Sequence, residues 1–300
     1  MNAFFFILLA LFWSLSFLAI KITVLAIAPG VAAFLRVLIA QIVFTGVFLG
    51  ARSNLRVPFA SLWRLWIIGV FAQGLPFFLL FSGECSIAPA LASIINSSVA
   101  AWALLFGILF FKDYTHATPL KILGLILGLL GVVMIFWTDL FHSHNQSKLI
   151  GILYVTGMAM SYALGSLLNQ RFNQSIHKTS FKACLWHQHW GSLIFLALMV
   201  SCFETWPALT PILHSSHVLI ALLYMGVFST AIAWLIFIHL VNTWGAVQAG
   251  SVMLIVPILA IIWDKLFMNL PPARIEFYGI AVILAGVSLI QFSKKRLKAA

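Results

Sequence analysis

Acidic residues are scarce in this sequence: Asp and Glu number six in 300 residues, and all four charged types make up 8% of the chain. A water-soluble domain carries roughly a quarter of its residues as Asp, Glu, Lys and Arg, so no soluble surface can be assembled from this composition. Cysteine is nearly missing as well. Cys85, Cys184 and Cys202 show no metal-ligand spacing and give no disulfide framework, which leaves free thiols of the kind common in apolar interiors. No GxxxxGK[ST] phosphate loop occurs, and that excludes a fused ATPase. Without a nucleophile–base–acid set or a metal-ligand helix motif, the sequence offers no catalytic residue, no metal site and no cofactor site. Long polar inserts are lacking too, since the connections between apolar runs are short throughout.

What is abundant is hydrocarbon, at 63% of residues. Apolar runs bounded by Pro, Gly or charge fall at about 4–25, 31–50, 64–83, 88–110, 119–139, 149–170, 182–204, 216–240, 245–267 and 275–292. Each is close to the 20 or so residues that cross a bilayer. Backbone groups in lipid must be bonded within the segment, so these runs are expected to be helices; barrel strands would be shorter and would alternate in polarity. The fold class is therefore an all-α polytopic membrane protein with ten transmembrane helices. The stretch from Met1 to Leu25 lacks a basic leading region and is as long as a full span, so it reads as an uncleaved first helix.

A formal charge of +11 would suggest nucleic acid in a soluble protein. Here the basic residues are scattered through short connections and form no stripe, which argues against a nucleic-acid partner. Arg52, Arg56, Arg64, Lys112, Lys121, Arg171, Lys178, Lys182, Lys294, Lys295, Arg296 and Lys298 lie on one side of the expected membrane, and only Lys148, Lys265 and Arg274 on the other. Basic residues are retained on the cytoplasmic side, so both termini are expected there, in an inner (plasma) membrane.

The sequence also repeats. Gly124-Leu-Ile-Leu-Gly-Leu-Leu-Gly131-Val pairs with Gly279-Ile-Ala-Val-Ile-Leu-Ala-Gly286-Val, and Phe12-Trp-Ser14 pairs more weakly with Ala159-Met-Ser161. The two units would be 1–145 and 146–300. Five helices is an odd number, so the second unit must enter the membrane with the opposite sense. Inverted repeats of this kind build transporter folds, with the solute site near the midplane between the units.

Phe12-Trp-Ser-Leu-Ser-Phe17 with Ile20-Lys21, Phe34-Leu-Arg36, the passage from Ser86 through Ala92 into Leu123–Val133, Gly226–Ala233, Pro257 and Gly279–Val287 together resemble the drug/metabolite transporter superfamily, in particular its ten-helix EamA-like branch. The resemblance covers nearly the whole chain. Two departures stand out: the half-repeat proline is present as Pro257 but Trp102 or a neighbour occupies the matching place in helix 4, and the acidic residue after helix 4, Asp113, is matched after helix 9 by Met268-Asn269. The resemblance implies a metabolite carrier, frequently an amino-acid exporter, with a central cavity lined by helices 1, 3, 4, 6, 8 and 9.

Polar and aromatic residues near mid-span are the candidate solute contacts: Trp13, Ser14, Phe17, Gln73, Phe77, Asn96, Ser97, Ser161, Tyr162, Ser229, Thr230, Trp234, Gln248 and Ser251. An amide such as Asn96 or Gln73 cannot face lipid, because an unmet hydrogen bond there costs several kcal/mol; it faces a cavity or bonds another helix, and the serines can equally be small packing residues. Pro76 and Pro257 lie inside spans, where each removes a backbone donor and marks a kink or hinge. Lys21 and Arg36, near the ends of adjacent helices, are read as snorkelling cations, with a gate or a carboxylate anchor as the other reading. The six acids all sit at or near helix ends, so the midplane offers no carboxylate for which a proton and a lipophilic cation could compete. That favours an uncharged or zwitterionic solute held by hydroxyls, amides and rings. A drug or nucleotide-derivative carrier of the same fold, or a membrane receptor or enzyme, are the alternatives. His187 and His189 point about 200° apart on a helix and cannot share a metal; they read as interfacial histidines in an aromatic belt or as a proton relay. Gly124, Gly128 and Gly131 on helix 5, with Gly279 and Gly286 on helix 10, make small-residue faces for scaffold packing or, in a second reading, dimerisation. The expected partners are a small-molecule solute and membrane lipid, and the sequence leaves monomer or homodimer undetermined.

Overall fold

A computed structural model describes residues 1–110, 118–141, 146–175, 180–206, 215–245, 249–269 and 274–292. Helix is the only regular structure among them, with no strand. In chain order the helices are α1 (Asn2–Val24), α2 (Pro29–Gly50), α3 (Phe59–Glu84), α4 (Pro89–Leu109), α5 (Pro119–Phe141), α6 (Gln146–Ser175), α7 (Phe181–Phe203), α8 (Ser216–Trp244), α9 (Val252–Trp263, continued by Asp264–Met268) and α10 (Arg274–Phe292). Seven of these, all but α5, α9 and α10, are long and apolar enough to cross a membrane by length and composition. The apolar stretches of α5 (Pro119–Met134) and α10 (Phe277–Ile290) are shorter. Large side chains point outward along the bundle, among them Ile42, Ile126, Leu153, Leu198 and Ile220, each at least half exposed. A patchwork of that extent is an aggregation surface in water and an ordinary surface in lipid.

Local sequence sets the ends. Proline opens α2, α4 and α5, where its missing N–H is one that has no helical partner anyway. Gly245 closes α8 at φ 95° and Asn269 closes the α9 run at φ 56°, the left-handed conformations that terminate helices. α6 extends beyond the expected 149–170 because its polar ends, from Gln146 and through Asn169, Gln170 and Arg171, continue the helix.

Among the described residues, interruptions lie inside α3, α4, α8 and α9, the last of them a π segment at Asp264–Met268. α3 widens into a π segment at Val70–Gly74, immediately before Pro76, where a wider turn accommodates the carbonyl that proline leaves without a donor; α8 widens at Tyr224–Ile232 with no proline in it. α4 is broken at Ser98, where Ser97 and Ser98 donate to the carbonyls of Ile94 and Ile95 at 2.6 Å each, a local bond that competes with the helix ladder. Pro257 sits inside α9.

Packing runs through backbones. A Cβ on Gly124 would stand 2.5 Å from the carbonyl oxygen of Gly286, and one on Gly131 would stand 2.8 Å from that of Gly279. The small faces read from the sequence therefore close on each other within the chain, and α5 and α10 run antiparallel. α2 and α7 are antiparallel as well: Glu204, just past α7, meets Gly30 at the start of α2, while Lys182 near the start of α7 meets Ser53 just past α2. α4 and α9 repeat the arrangement, with Ala90 bonded to Asp264. α1 packs against α8 and α9, and α6 correspondingly against α3 and α4.

Candidate functional site

Between these helices lies a cavity of about 320 Å³. α1 contributes Trp13, Ser16 and Phe17, one face at helical spacing; α3 contributes Phe77 and Leu80 beyond its π segment; and α4 contributes Asn96, Ser97, Val99 and Ala100 around its break. Tyr162 and Ser166 come from α6, and Ser229, Trp234 and Phe237 from α8. Gly250, Met253 and Val256 close one wall with Val287 of α10. Rings meet at edges and tilts, Trp13 with Phe237 at 5.5 Å, Trp234 with Phe237 at 5.8 Å and Phe77 with Tyr162 at 6.3 Å. The amide of Asn96 has no side-chain hydrogen bond among the described residues and is directed at the cavity. None of the lining residues is acidic.

Arg36 overturns its expected role. It does not snorkel: the side chain is 4% exposed and lines the cavity. Its Nε donates to Thr230 Oγ1 at 2.9 Å and its Nη2 to Ser229 Oγ at 3.0 Å, while the guanidinium carbon lies 4.3 Å from the centre of the Phe77 ring. Two of its five donors are thus held by α8 and the rest have no partner among the described residues. Lys21 does not snorkel either. Its ammonium donates to the carbonyls of Glu84 at 2.6 Å and Ile87 at 3.1 Å, so it caps the C-terminal end of α3, where a cation is favoured.

Other candidates turn away from the cavity. Ser14 is fully buried, donates to Leu11 O and accepts from Trp263 Nε1 at 3.0 Å, joining α1 to α9. Ser161 donates to Phe71 O at 3.0 Å, a carbonyl of the α3 π segment, and joins α6 to α3. Gln73, in that same segment, is buried with its Oε1 unpartnered and is not in the cavity wall. Thr230 acts on the cavity through Arg36, and Ser251 stands beside the lining residue Gly250. Gln248 lies outside the described residues, as do Lys112, Asp113 and Lys178. α2 and α10 enter the wall although the resemblance implied neither. Ser166 and Phe237 follow Tyr162 and Trp234 by one helical turn, a spacing from which both could have been found. His189 is no interfacial residue: it is fully buried, edge-on to Phe44 at 4.9 Å. His187 meets the carbonyl of Leu55 at 3.1 Å.

A chain of apolar helices around an aromatic cavity with one cation matches a known pattern along its length: the sequence fits the EamA-like transporter family over residues 1–137 and again over 149–292. The chain belongs to the EamA-like transporter family. Relatives of this EamA-like protein include an "Uncharacterized transporter YvbV" of Bacillus subtilis, 28% identical over 60% of this chain and 56% of that one. A "Probable amino-acid metabolite efflux pump" of Escherichia coli is 23% identical over 98% of this chain and 95% of the other. A crystal structure 19% identical in sequence superposes with TM-score 0.62 over 96% of this chain and 95% of that one, which establishes the shared fold. The EamA-like family and its relatives' names indicate a membrane transporter rather than an enzyme, with a small-molecule solute as its partner.

Proposed function

We propose that this transporter moves a small amino-acid-like solute by alternating access, in the direction of export, across the inner membrane with both termini cytoplasmic. The observation that carries the proposal is Arg36, a buried guanidinium offering unused donors to a cavity otherwise walled by rings, hydroxyls and one amide. A guanidinium fork suits a carboxylate, and the faces of Trp13, Trp234 and Phe237 suit an ammonium. A zwitterion presents both groups. The volume falls at the small end of ligand pockets, which span about 300 to 1,000 Å³, and this favours a small metabolite over a nucleotide derivative.

The architecture behind the proposal is ten spans in two inverted five-helix units, 1–145 and 146–300. The antiparallel pairing of α2 with α7, α4 with α9 and α5 with α10 supports it, since equivalent helices of inverted units must run in opposite senses. In this reading Arg36, Asn96, Trp13, Phe17, Phe77, Ser97, Tyr162, Ser229 and Trp234 contact or frame the solute, and the α3 and α9 prolines, Pro76 and Pro257, serve as hinges. The test is counterflow in proteoliposomes loaded with neutral amino acids, using labelled members of the same panel outside. Accumulation that depends on Arg36 supports the reading; correctly folded protein that exchanges no member of the panel overturns it.

A further inference from the structure

At the end of the bundle away from Met1, where α1, α3, α7 and α9 finish, carboxylates meet helix starts. Glu204 accepts from the backbone N–H groups of Gly30 and Val31 at 2.9 and 3.1 Å, and Asp264 accepts from that of Ala90 at 2.8 Å. These bonds join α7 to α2 and α9 to α4 and tie this end of the bundle together. Glu84 stands among these ties and differs from its neighbours. It is fully buried, and neither of its carboxyl oxygens has a hydrogen-bond partner among the described residues.

The groups facing it explain why it stands alone. Lys21 from α1, Asp264 from α9 and Arg36 from α2 are within electrostatic reach, but each is engaged elsewhere. The Lys21 ammonium bonds main-chain carbonyls, that of Glu84 itself included, and Arg36 is held by Ser229, Thr230 and the Phe77 ring. On the α6 side the preceding residue, Gly83, is packed against Gly151, Tyr154 and Val155. Glu204 is engaged by the backbone of Gly30 and Val31. Lys21, Arg36, Glu84 and Asp264 would together carry no net charge if all were ionised, so it is the want of a donor that sets Glu84 apart. Of the two carboxylates Asp264 has a donor and Glu84 has none. Burying a charge without donors is costly, and a single proton removes that charge.

We propose that Glu84 is a proton-binding site: its carboxylate takes up one proton from water as this end closes over it and returns the proton when the end opens. The inference rests on the carrier reading and adds to it the ion whose binding is linked to reorientation. Closure then binds one proton more than opening, so acid favours the closed end and alkali the open one. In the proposed orientation this end faces away from the cytoplasm.

The test is infrared spectroscopy of the full chain in lipid nanodiscs at neutral pH. A carboxylic-acid C=O band is expected in the wild type, shifted by ¹³C-glutamate labelling and not by ¹³C-aspartate, absent in Glu84→Gln and kept in Asp264→Asn. The labelling needs no variant and so stands even where Glu84→Gln fails to fold. No such band, a band that follows the aspartate label, or a band that survives in folded Glu84→Gln overturns the proposal. So does a band that vanishes when sodium replaces choline, which would make the ligand a metal cation. Counterflow on the same preparation keeps the two readings apart: a glutamic-acid band without exchange of any amino acid defeats only the carrier reading, and exchange without the band defeats only the proton site.

Discussion

Replacing Arg36 by Gln gives the sharpest test of solute recognition. A carboxylate set against the free edge of the guanidinium receives two charge-assisted hydrogen bonds of about 1.5–3 kcal/mol each, and the amide of Gln replaces one of them at about 1 kcal/mol. The expected loss is at least about 2 kcal/mol, a weakening of roughly 30-fold in Kd. Gln also abandons Ser229 and Thr230, which hold Nη2 and Nε, so a simple comparison mixes recognition with repacking. A cycle over protein and ligand separates them. Binding of a neutral amino acid and of the amine lacking its carboxylate, L-phenylalanine with phenethylamine and L-leucine with isoamylamine, is followed through Trp13 and Trp234, both in the cavity wall. The wild type should prefer the amino acid, and Arg36→Gln should cut that preference roughly 30-fold, leaving about the fivefold that one neutral hydrogen bond supplies. If the substitution weakens both ligands equally, or the wild type binds amine as tightly as amino acid, the carboxylate does not lie on Arg36. Arg36→Lys keeps the charge without the fork and is expected to recover part of the affinity.

Other substitutions probe separate layers. Gly30→Ala places a Cβ 2.8 Å from Glu204 Oε2, so it should loosen the closed end and raise the labelling rate of a reporter cysteine placed at Phe34, with no change expected for Gly46→Ala, whose Cβ meets nothing within 4 Å. Gly124→Leu drives a side chain into the backbone of α10 and should cost about 1–3 kcal/mol, seen as a lower Tm in detergent. Asn96→Leu removes the one amide among the described residues of the cavity wall and should weaken solute binding by about 1 kcal/mol, roughly fivefold, while leaving Tm within a few degrees of the wild type because no side-chain bond to a described residue is lost.

The fold was largely legible because lipid leaves the backbone few choices. Apolar runs cut by Pro29, Pro89 and Pro119 became helices that begin at those residues, and the glycines singled out by the repeat became the seam between α5 and α10. The lining of the cavity was legible in part, since Trp13, Phe17, Phe77, Asn96, Ser97, Tyr162, Ser229 and Trp234 lie in its wall. Polarity at mid-span says that a side chain must find a partner, and not which one. Ser14 and Ser161 found theirs on neighbouring helices. Arg36 was misread for a related reason: a cation near a helix end is free to reach water unless distant residues hold it, and its holders are 193 and 194 positions away. The scarcity of acids was read as the absence of a carboxylate from the midplane. It said nothing of Glu84, whose isolation arises only where four helix ends converge.

The π segment of α3 has a consequence for how this protein tolerates change. Val70–Gly74 accommodates one residue more than an α-turn would, and each residue of a helix turns the chain by about 100°. Deleting one residue there would restore an unbroken spiral and leave Phe77 and Leu80 facing the cavity, whereas the same deletion in a regular α stretch would rotate everything beyond it by that angle. The widened turn is therefore the place where this helix can absorb a change of length without turning its cavity face away.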